Sequence, residues 1–375
     1  MVGLGSEHAP SESTNDESFY TLDLSVLQHT YNEWTETLPS VRPFYAVKCN
    51  PHPRIIEELA RLGSNFDCAS PAEIQLVLDA GVESDRILYA NPCKRVQDIA
   101  FAKDRKIVRT TFDSVSELKK IARVWDGETA GRRPELLLRI RADDPSARCN
   151  LGVKYGAEEP DWEILLFTAR MLGLDVIGVS FHVGSFASSS KVFGEAVKTA
   201  TRAIELAKEY GYDPRIIDIG GGFSHTHGLP KNISAPQGMT IIAEPGRYFV
   251  EQVMTLYTPI IGTKGSGITI SESLYGAFNC ILFDHAAPEV REVMGRTGDM
   301  APKTIFGSTC DGGDVIYKEY YLPEDTQEGD WIVWDNMGAY TLAATTNFNG
   351  LGFNSRKVLT NEQLRPESLE HIVGY

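Results

Sequence analysis

The chain has 375 residues, and its 36 basic and 51 acidic side chains give a formal net charge of −15 at pH 7. This acidic balance argues against a nucleic-acid backbone or an anionic membrane as the main partner, and it is compatible with a small cationic substrate. The six cysteines show neither a CxxC pair nor a zinc-ligand spacing, so we expect reduced thiols in a cytoplasmic protein and no metal site.

The N-terminal segment divides into two parts. Residues 1–17 are polar and rich in serine, without the basic start and apolar stretch of a secretion signal, so we expect a disordered leader. Residues 18–40 start strand-like and continue helical. We expect their strand to contribute to a later β domain and their helix to lead into the next unit.

Residues 41–247 alternate short apolar runs with longer helical stretches. Eight such runs occur, at 44–48, 65–70, 87–91, 107–113, 135–140, 176–184, 216–222 and 240–247. Eight repeats of strand and helix predict a parallel (β/α)8 TIM barrel rather than an open sheet. The stretch after the seventh run, "FSHTHGLPKNISAPQGM", is rich in turn-forming residues and predicts a loop with little room for a helix.

Residues 248–375 have a different sequence pattern, with few helical stretches. Segments such as "FVEQVMTLYTPIIGTKGSGITI" and "GDWIVWDNMGAYT" are β-rich and carry turn signals. We therefore predict a C-terminal antiparallel β domain, sandwich-like in architecture, after the barrel. The fold class is thus α/β plus β.

Polar and glycine residues collect at the carboxyl ends of the predicted barrel strands, where active sites of such barrels lie. They are Lys48, Asp67, His182, the glycines 220–222, Glu244 and Arg247. Each alone has an ordinary structural interpretation, since a single histidine or a glycine triplet most often serves a turn or the core. Their joint occurrence on one rim favours a site.

These residue types suit one cofactor. Burial lowers the pKa of a lysine and exposes the amine lone pair, which favours imine formation with a carbonyl group, and Lys48 ends an apolar strand. A glycine-rich loop lets backbone N–H groups approach a phosphate, and an arginine adds positive charge there. A carboxylate can hold the proton of a pyridine ring. Together they point to pyridoxal 5'-phosphate.

Several sequence blocks carry a family resemblance. In chain order they are "PFYAVKCN", "FDCAS", "SFHVGS", "DIGGGF", "AEPGRYFV", "YGAFNCILFDH", "TCDGGD" and "NMGAYT". From about residue 18 to the C-terminus the chain resembles the eukaryotic ornithine decarboxylases, which belong to the alanine-racemase-like group of pyridoxal phosphate enzymes. The resemblance implies decarboxylation of L-ornithine to putrescine and carbon dioxide, through a lysine aldimine and a quinonoid intermediate, in polyamine biosynthesis.

The resemblance also implies roles for the matching positions around the cofactor. Lys48 would form the aldimine, His182 would stack on the ring and Glu244 would pair with the pyridine nitrogen. Asp67 would lie near the lysine and support this network. The phosphate and its surroundings would be held by Ser185, Gly221, Gly222, Gly246, Arg247 and Tyr340.

For the substrate, the resemblance implies that Asp284 and Asp311 receive the distal ammonium group and that Cys310 returns a proton to the carbanion. Tyr275 and Phe348 would complete the substrate site. In the family, the "TCDGGD" loop reaches the active site of the other subunit. The resemblance therefore implies a homodimer with shared active sites, and a regulator of the antizyme kind as a further partner.

The chain departs from the family pattern in three places. Phe186-Ala187 follow "HVGS" where the family usually has Gly-Cys, and Asn150 stands where an arginine is common. The stretches between Gly222 and Glu244 and between Arg247 and Tyr275 are shorter than usual. Either the chain is a compact, diverged member or loops are missing from it, and the sequence leaves both open.

These departures bear on the substrate more than on the cofactor. They motivate a second hypothesis, a decarboxylase for lysine or a modified basic amino acid in specialised metabolism. A third hypothesis is a protein without catalysis that resembles the antizyme inhibitors. Such proteins tend to lose cofactor residues. This chain keeps the residues expected at the site, namely Lys48, His182, Glu244, Arg247, Tyr340 and Cys310.

Overall fold

The computed structural model describes residues 16–126, 133–142, 144, 147–148, 152–186, 190–230, 233 and 236–360. Of the leader predicted for 1–17, all but the last two residues lie outside the described residues, as does Asn150. Within the described ranges, every helix is too short or too polar to cross a lipid bilayer.

The N-terminal segment forms a strand and a helix, β1 (Phe19–Leu22) and α1 (Leu24–Thr37). The helix begins at Asp23, whose carboxylate accepts the N–H of Ser25 at 2.9 Å and so caps a free donor of the first turn. Leu27, Tyr31 and Trp34 lie on one face at helical spacing and are buried. This apolar face fixes α1 against the rest of the protein.

Eight parallel strands close into a barrel. They are β2 (Val41–Ala46), β3 (Asn65–Cys68), β4 (Ile87–Tyr89), β5 (Arg109–Phe112), β6 (Glu135–Arg139), β7 (Asp175–Ser180), β8 (Ile216–Asp218) and β9 (Thr240–Ala243). Each overlaps one of the eight predicted runs, and β2 closes the ring by pairing with both β3 and β9. The predicted (β/α)8 barrel is confirmed.

Helices connect most of the barrel strands. They are α2 (Pro53–Leu62), α3 (Pro71–Asp79), α4 (Val96–Asp104), α5 (Val115–Trp125), α6 (Trp162–Met171) and α7 (Ser190–Glu209). A single helical turn, α8 (Arg247–Val250), follows β9 and leads out of the barrel. Proline opens both α2 and α3, where its missing N–H costs nothing. Between β8 and β9 the described residues contain no helix, in agreement with the loop predicted there.

The inside of the barrel is filled by its own apolar side chains. They form a cluster separate from the main core, consisting of Phe44, Leu88, Ala90, Leu137, Ile177, Ile216 and Ile242. Since successive side chains of a strand point to opposite faces, the other strand residues pack outward against the helices. The filled interior leaves open space only at the ends of the barrel.

The remaining strands build a second sheet. They are β10 (Met254–Lys264), β11 (Gly267–Ile270), β12 (Val290–Val293), β13 (Met300–Phe306), β14 (Val315–Pro323), β15 (Trp331–Trp334) and β16 (Lys357–Thr360), with the short helix α9 (Asn279–Phe283) after β11. The hydrogen-bonded order is β12-β15-β10-β11-β13-β14, and β1 pairs with β10 and β16. The β domain is confirmed.

This sheet is mixed rather than purely antiparallel. β1 runs parallel to β16, and β11 runs parallel to β13. Parallel neighbours need a long connection between them, and β1 and β16 are separated by the whole barrel and most of the sheet. The strand of the N-terminal segment therefore lies in the β domain, beside β10, while its helix leads to the barrel.

Candidate active site

A cavity of about 370 Å³ opens at the carboxyl end of the barrel strands. It is lined from the barrel by Lys48, Asp67, Ala69, Ala90, Asn91, Pro92, Arg139, Tyr155, His182, Ser185 and Glu244, and from the β domain by Asn279, Phe283, Asp284, Tyr340 and Ala344. A larger cleft of about 680 Å³ lies at the other end, beside the starts of β4 to β7. Barrel enzymes place their chemistry at the carboxyl ends of the strands, so we take the smaller cavity as the site.

Lys48 lies just beyond strand β2, in a 3-10 turn formed by Val47–Cys49. Its ammonium contacts Oδ2 of Asp67, which is fully buried at the end of the neighbouring strand β3. The other carboxylate oxygen, Oδ1 of Asp67, is buried and has no hydrogen-bond partner among the residues that the structure describes. The lysine side chain is 43% exposed, because it faces the cavity.

The sequence predicted a lysine whose pKa is lowered by burial, and this is wrong for the ion-paired lysine in the structure. The surrounding protein does lower the pKa of Lys48, but the carboxylates of Asp67 and Glu244 outweigh that effect and leave the pKa above its ordinary value. The lysine is therefore a paired ammonium at rest. A reaction at its amine requires that a proton first leaves the Lys48–Asp67 pair.

Two further carboxyl groups lie below the lysine, at the ends of β8 and β9. Burial, followed by the charges of Asp218 and Asp67, raises the pKa of Glu244 well above its ordinary value. Burial also raises the pKa of Asp218 to about 7. This part of the site therefore retains protons that a solvated carboxylate would lose.

His182 follows strand β7 and is held as a neutral imidazole. Burial, together with the positive charges of Arg139 and Lys48, lowers the pKa of His182 well below its ordinary value. Its Nδ1 accepts the backbone N–H of Gly184 at 3.0 Å, which leaves the proton on Nε2. A neutral ring with a fixed tautomer offers a flat face for an aromatic ligand.

The glycine loop after β8 allows a close approach between strands. A methyl group added at Gly221 would lie 2.8 Å from the carbonyl oxygen of Glu244 and 2.9 Å from Nε2 of His182, so only glycine fits. A narrow extension of the site, about 20 Å³ in volume, lies between this loop and Arg247. Gly222, Gly246, Ser185 and Tyr340 also line it.

The buried cation of this extension is Arg247, at the start of α8. Its Nη1 lies 2.9 Å from Oε1 of Glu251, and its Nη2 contacts Oδ2 of Asp284. Burial lowers the pKa of Arg247, but Asp284 and the other acidic groups nearby raise this pKa by more than burial lowers it, so the guanidinium stays charged. Tyr340 reaches the site because its N–H bonds to the carbonyl of Cys49 at 3.0 Å.

These residues fit pyridoxal 5'-phosphate. Backbone N–H groups of a glycine loop and a buried guanidinium are the donors a phosphate needs. The cavity also offers a lysine for the aldehyde of the cofactor, a neutral imidazole face for its ring and a proton-bearing carboxyl group for its ring nitrogen. Oδ1 of Asp67, to which no described residue donates, adds an acceptor beside the lysine.

Phe186 shapes the end of this extension in an unusual way. Its backbone is left-handed, with φ 56°, at a position where the resembling family usually has glycine. Its ring lies between two guanidinium groups, 3.4 Å from that of Arg148 and 4.6 Å from that of Arg247. Arg148 in turn lies 3.9 Å from Oδ2 of Asp284. The carboxylate of Asp284, predicted to receive the distal ammonium group of the substrate, is therefore flanked by two cations.

Four predicted substrate residues lie elsewhere. Tyr275, Cys310, Asp311 and Phe348 do not line the cavity and form a cluster on the β domain, in which Tyr275 is half-buried and the other three are exposed. The hydroxyl of Tyr275 donates to Asp311 at 2.7 Å, and the rings of Tyr275 and Phe348 stack 4.3 Å apart. The N–H of Gly313 and the hydroxyl of Tyr275 lower the pKa of Asp311, so this carboxylate is held ionised.

Sequence reasoning missed several residues that line the cavity. Arg139 and Asn91 come at the ends of the predicted strands 135–140 and 87–91, so the strand-end rule could have found them. Asp218, which is buried behind the cavity, ends the observed strand β8 but lies inside the predicted run 216–222, so the same rule would not have selected it. Asn279 and Phe283 come from α9 in the β domain, and no local pattern in the sequence indicates that they face the barrel.

Comparisons with known proteins agree with this geometry. The family model described as "Pyridoxal-dependent decarboxylase, pyridoxal binding domain" matches residues 24–251. Ornithine decarboxylase of Nicotiana glauca is 41% identical over 371 residues, which cover 92% of this chain and 84% of that protein.

Two solved structures are also similar. The arginine decarboxylase of Paramecium bursaria Chlorella virus superposes with a TM-score of 0.84 at 35% identity, covering 92% of this chain and 95% of the other. The lysine decarboxylase of Selenomonas ruminantium superposes with a TM-score of 0.81 at 30% identity, covering 97% and 96%. Proteins with three different substrates in their names therefore share this architecture.

Proposed function

The chain belongs to the family of pyridoxal-dependent decarboxylases, and we propose that it decarboxylates L-ornithine to putrescine and carbon dioxide with pyridoxal 5'-phosphate as cofactor. One observation carries the substrate choice: the 41% identity to an ornithine decarboxylase extends over 92% of the chain. The cavity that joins Lys48, His182, Glu244 and Asp284 supports the chemistry.

Each side chain has a task that follows from its surroundings. Bound pyridoxal phosphate supplies an electron sink for the pair of electrons left when the carboxylate departs. Lys48 would hold the cofactor covalently, with Asp67 taking part in the proton transfer that frees its amine. The neutral face of His182 would fix the ring plane, and Glu244 would bond the ring nitrogen. The glycine loop and Arg247 would anchor the phosphate.

Substrate discrimination rests on charge. Asp284 lines the cavity and is only 7% exposed. A buried carboxylate that receives the distal ammonium of a diamino acid rejects an analogue without it, because the carboxylate would then lose a partner.

We further infer that the active site is completed by a second copy of the chain. Cys310 and Asp311 are exposed and lie outside the cavity, although a thiol and a carboxylate are the groups this chemistry needs. Exposed apolar side chains occur in the same domain, among them Phe283 at 72% and Leu351 at 40%. In a two-fold dimer, the cluster of one subunit would face the cavity of the other, with Cys310 Sγ returning a proton to the substrate carbon.

The substrate proposal is tested with purified, cofactor-loaded protein and a panel of L-ornithine, L-lysine and L-arginine. We expect carbon dioxide and putrescine from ornithine at the highest kcat/KM. A strong preference for lysine would favour the second hypothesis, which the similarity to a lysine decarboxylase supports. If the protein binds the cofactor but decarboxylates none of the three amino acids, the proposed activity is refuted and the third hypothesis, a non-catalytic protein that resembles the antizyme inhibitors, is favoured.

The lysine and dimer assignments have their own tests. Lys48→Ala should abolish both turnover and the absorbance of the imine to the cofactor; a variant that keeps both contradicts the assignment. Mixing inactive Lys48→Ala and Cys310→Ala subunits should restore about a quarter of the activity, since half of the dimers then carry one intact site. Two inactive variants that stay inactive when mixed, although they form mixed dimers, would contradict shared sites.

A further inference from the structure

Two carboxyl groups rise side by side from adjacent barrel strands. Asp218 is the last residue of β8 and pairs with Ile242 in β9, two residues before Glu244. The N–H of Glu244 donates to the carbonyl of Gly220 at 2.7 Å, which ties the two strand ends together. Asp218 is fully buried and Glu244 is 9% exposed. Neither group can rely on solvent to stabilise a charge.

The hydrogen bonds of Asp218 leave one oxygen for Glu244. Its Oδ1 accepts the N–H of Gly220 at 2.9 Å. Its Oδ2 is buried, and among the described residues no N–H group or hydroxyl donates to it. Its side-chain partner is the carboxyl group of Glu244. Two carboxylates are both acceptors, so a hydrogen bond between them requires a proton.

The charges around the pair also favour one shared proton. Asp67 faces it from β3 and adds negative charge, while Lys48 after β2 and Arg139 at the end of β6 add positive charge. His182 is neutral. Two buried carboxyl groups in contact cannot both ionise at low cost, and the cations nearby favour the loss of one of their two protons as the pH approaches neutrality.

We propose that Asp218 and Glu244 hold one proton between them and that Glu244 releases it to the ring nitrogen of the bound cofactor, with Asp218 as the positioning residue that sets the proton affinity of Glu244. This inference rests on the proposed function for its cofactor and extends it to a residue outside the cofactor's direct contacts.

The transfer is balanced in atoms and charge. The O–H bond of Glu244 breaks as an N–H bond forms, and the electron pair of the O–H bond stays on Glu244. Asp218 remains ionised throughout. The ring nitrogen would then carry one positive charge and the pair two negative charges, the second of which Arg139 offsets. A second carboxylate behind the first stabilises the protonated ring and strengthens it as an electron sink.

The test uses Asp218→Asn, which keeps the shape and the acceptor for Gly220 but places an NH₂ donor toward Glu244. In cofactor-free protein, infrared spectroscopy should show the C=O band of a protonated carboxylic acid near neutral pH. We expect the titration midpoint of that band to fall by at least one pH unit in Asp218→Asn. Asp98→Asn, on α4 and outside the cavity, is the matched control and should leave the band unchanged.

A second readout uses the holoenzyme with ¹⁵N-labelled cofactor. The ¹⁵N shift of the ring nitrogen should indicate protonation in the wild type and move toward the neutral form in Asp218→Asn, with kcat reduced at least tenfold. A band and ¹⁵N shift identical to those of the wild type overturn the proposal, even if activity is lost. If Asp218→Asn does not fold, Glu244→Gln must remove the same band, and a band that persists overturns it.

These outcomes are separable from the proposed function. A wild-type protein that fails to decarboxylate ornithine yet shows the band, and its shift in Asp218→Asn, would refute the substrate assignment and support the shared proton. A wild-type protein that decarboxylates ornithine but lacks any titrating carboxylic-acid band would support the substrate assignment and refute the shared proton.

Discussion

Replacing Gly221 by alanine tests how closely the glycine loop packs against the site. The added methyl group would meet the carbonyl oxygen of Glu244 at 2.8 Å and Nε2 of His182 at 2.9 Å, whereas ordinary contacts begin at 3.4 Å. The φ angle of Gly221 is not positive, so alanine suffers no backbone strain there. The whole effect must therefore come from the steric clash, which forces the imidazole of His182 and the backbone of Glu244 away from the loop by about 0.6 Å.

The magnitude follows from the cost of overpacking. One extra methylene in a packed interior costs about 1–3 kcal/mol. If that cost falls on the two groups that contact the cofactor, the affinity for pyridoxal phosphate falls by about 5- to 150-fold, since about 1.4 kcal/mol is a factor of ten. Titrating cofactor-free protein with pyridoxal phosphate, followed by absorbance, measures this change directly.

The matched control is Gly194→Ala in α7, where an added methyl group meets nothing within 4 Å. It should leave cofactor affinity unchanged and stabilise the helix by up to about 1 kcal/mol. If Gly221→Ala folds and binds the cofactor within a factor of two of the wild type, the loop does not pack against His182 and Glu244 as the structure has it. Thermal unfolding of both variants separates a local effect from a general loss of fold.

Three further changes test the charges of the site. Asp67→Asn should lower the pKa of Lys48, because the Asp67 carboxylate is the largest charge that raises it; an amine-reactive label on cofactor-free protein reports the midpoint, and an unchanged midpoint contradicts the pairing. The raised pKa of Asp218, about 7, is a stabilising contribution at low pH that is lost as pH rises from its unfolded value near 4 through 7. The free energy of unfolding of the wild-type cofactor-free protein, compared with that of Asp218→Asn, should therefore fall by up to about 1.4 kcal/mol per pH unit between pH 5 and 7. Urea unfolding at each pH measures it, and a rise over this range would contradict a raised pKa of Asp218. Arg148→Met removes a partly exposed cation 3.9 Å from Asp284, so the affinity for putrescine should rise by about fivefold, the equivalent of about 1 kcal/mol, and weaker binding would show that Arg148 is not a competitor.

Local sequence patterns predicted most of the barrel. Each strand is a short apolar run bounded by turn signals, and the eight runs overlap the eight observed strands. Because all strands of the barrel are parallel, their carboxyl ends share one rim, so Lys48, Asp67, His182 and Glu244 could be placed together without coordinates. All four line the cavity.

The protonation states and ion pairs of these residues could not be predicted in the same way. The pKa of Lys48 depends on Asp67 and Glu244, which are 19 and 196 positions away. Asp67 reaches it through the pairing of β2 with β3, and Glu244 through the pairing of β9 with β2 that closes the barrel. The pairing of Asp284 with Arg247 joins the β domain to the barrel. The parallel pairing of β1 with β16 in the second sheet likewise depends on strands from opposite ends of the chain.

The sequence alone thus determined the kind of fold, the rim and the types of group the rim carries, because strand periodicity and strand-end position are local properties. Only the tertiary structure decided that Lys48 is ion-paired, that Asp218 lies against Glu244, and that Phe186 lies between Arg148 and Arg247. Burial and charge at a point are sums over all surrounding atoms, and in a closed barrel those atoms come from every part of the chain.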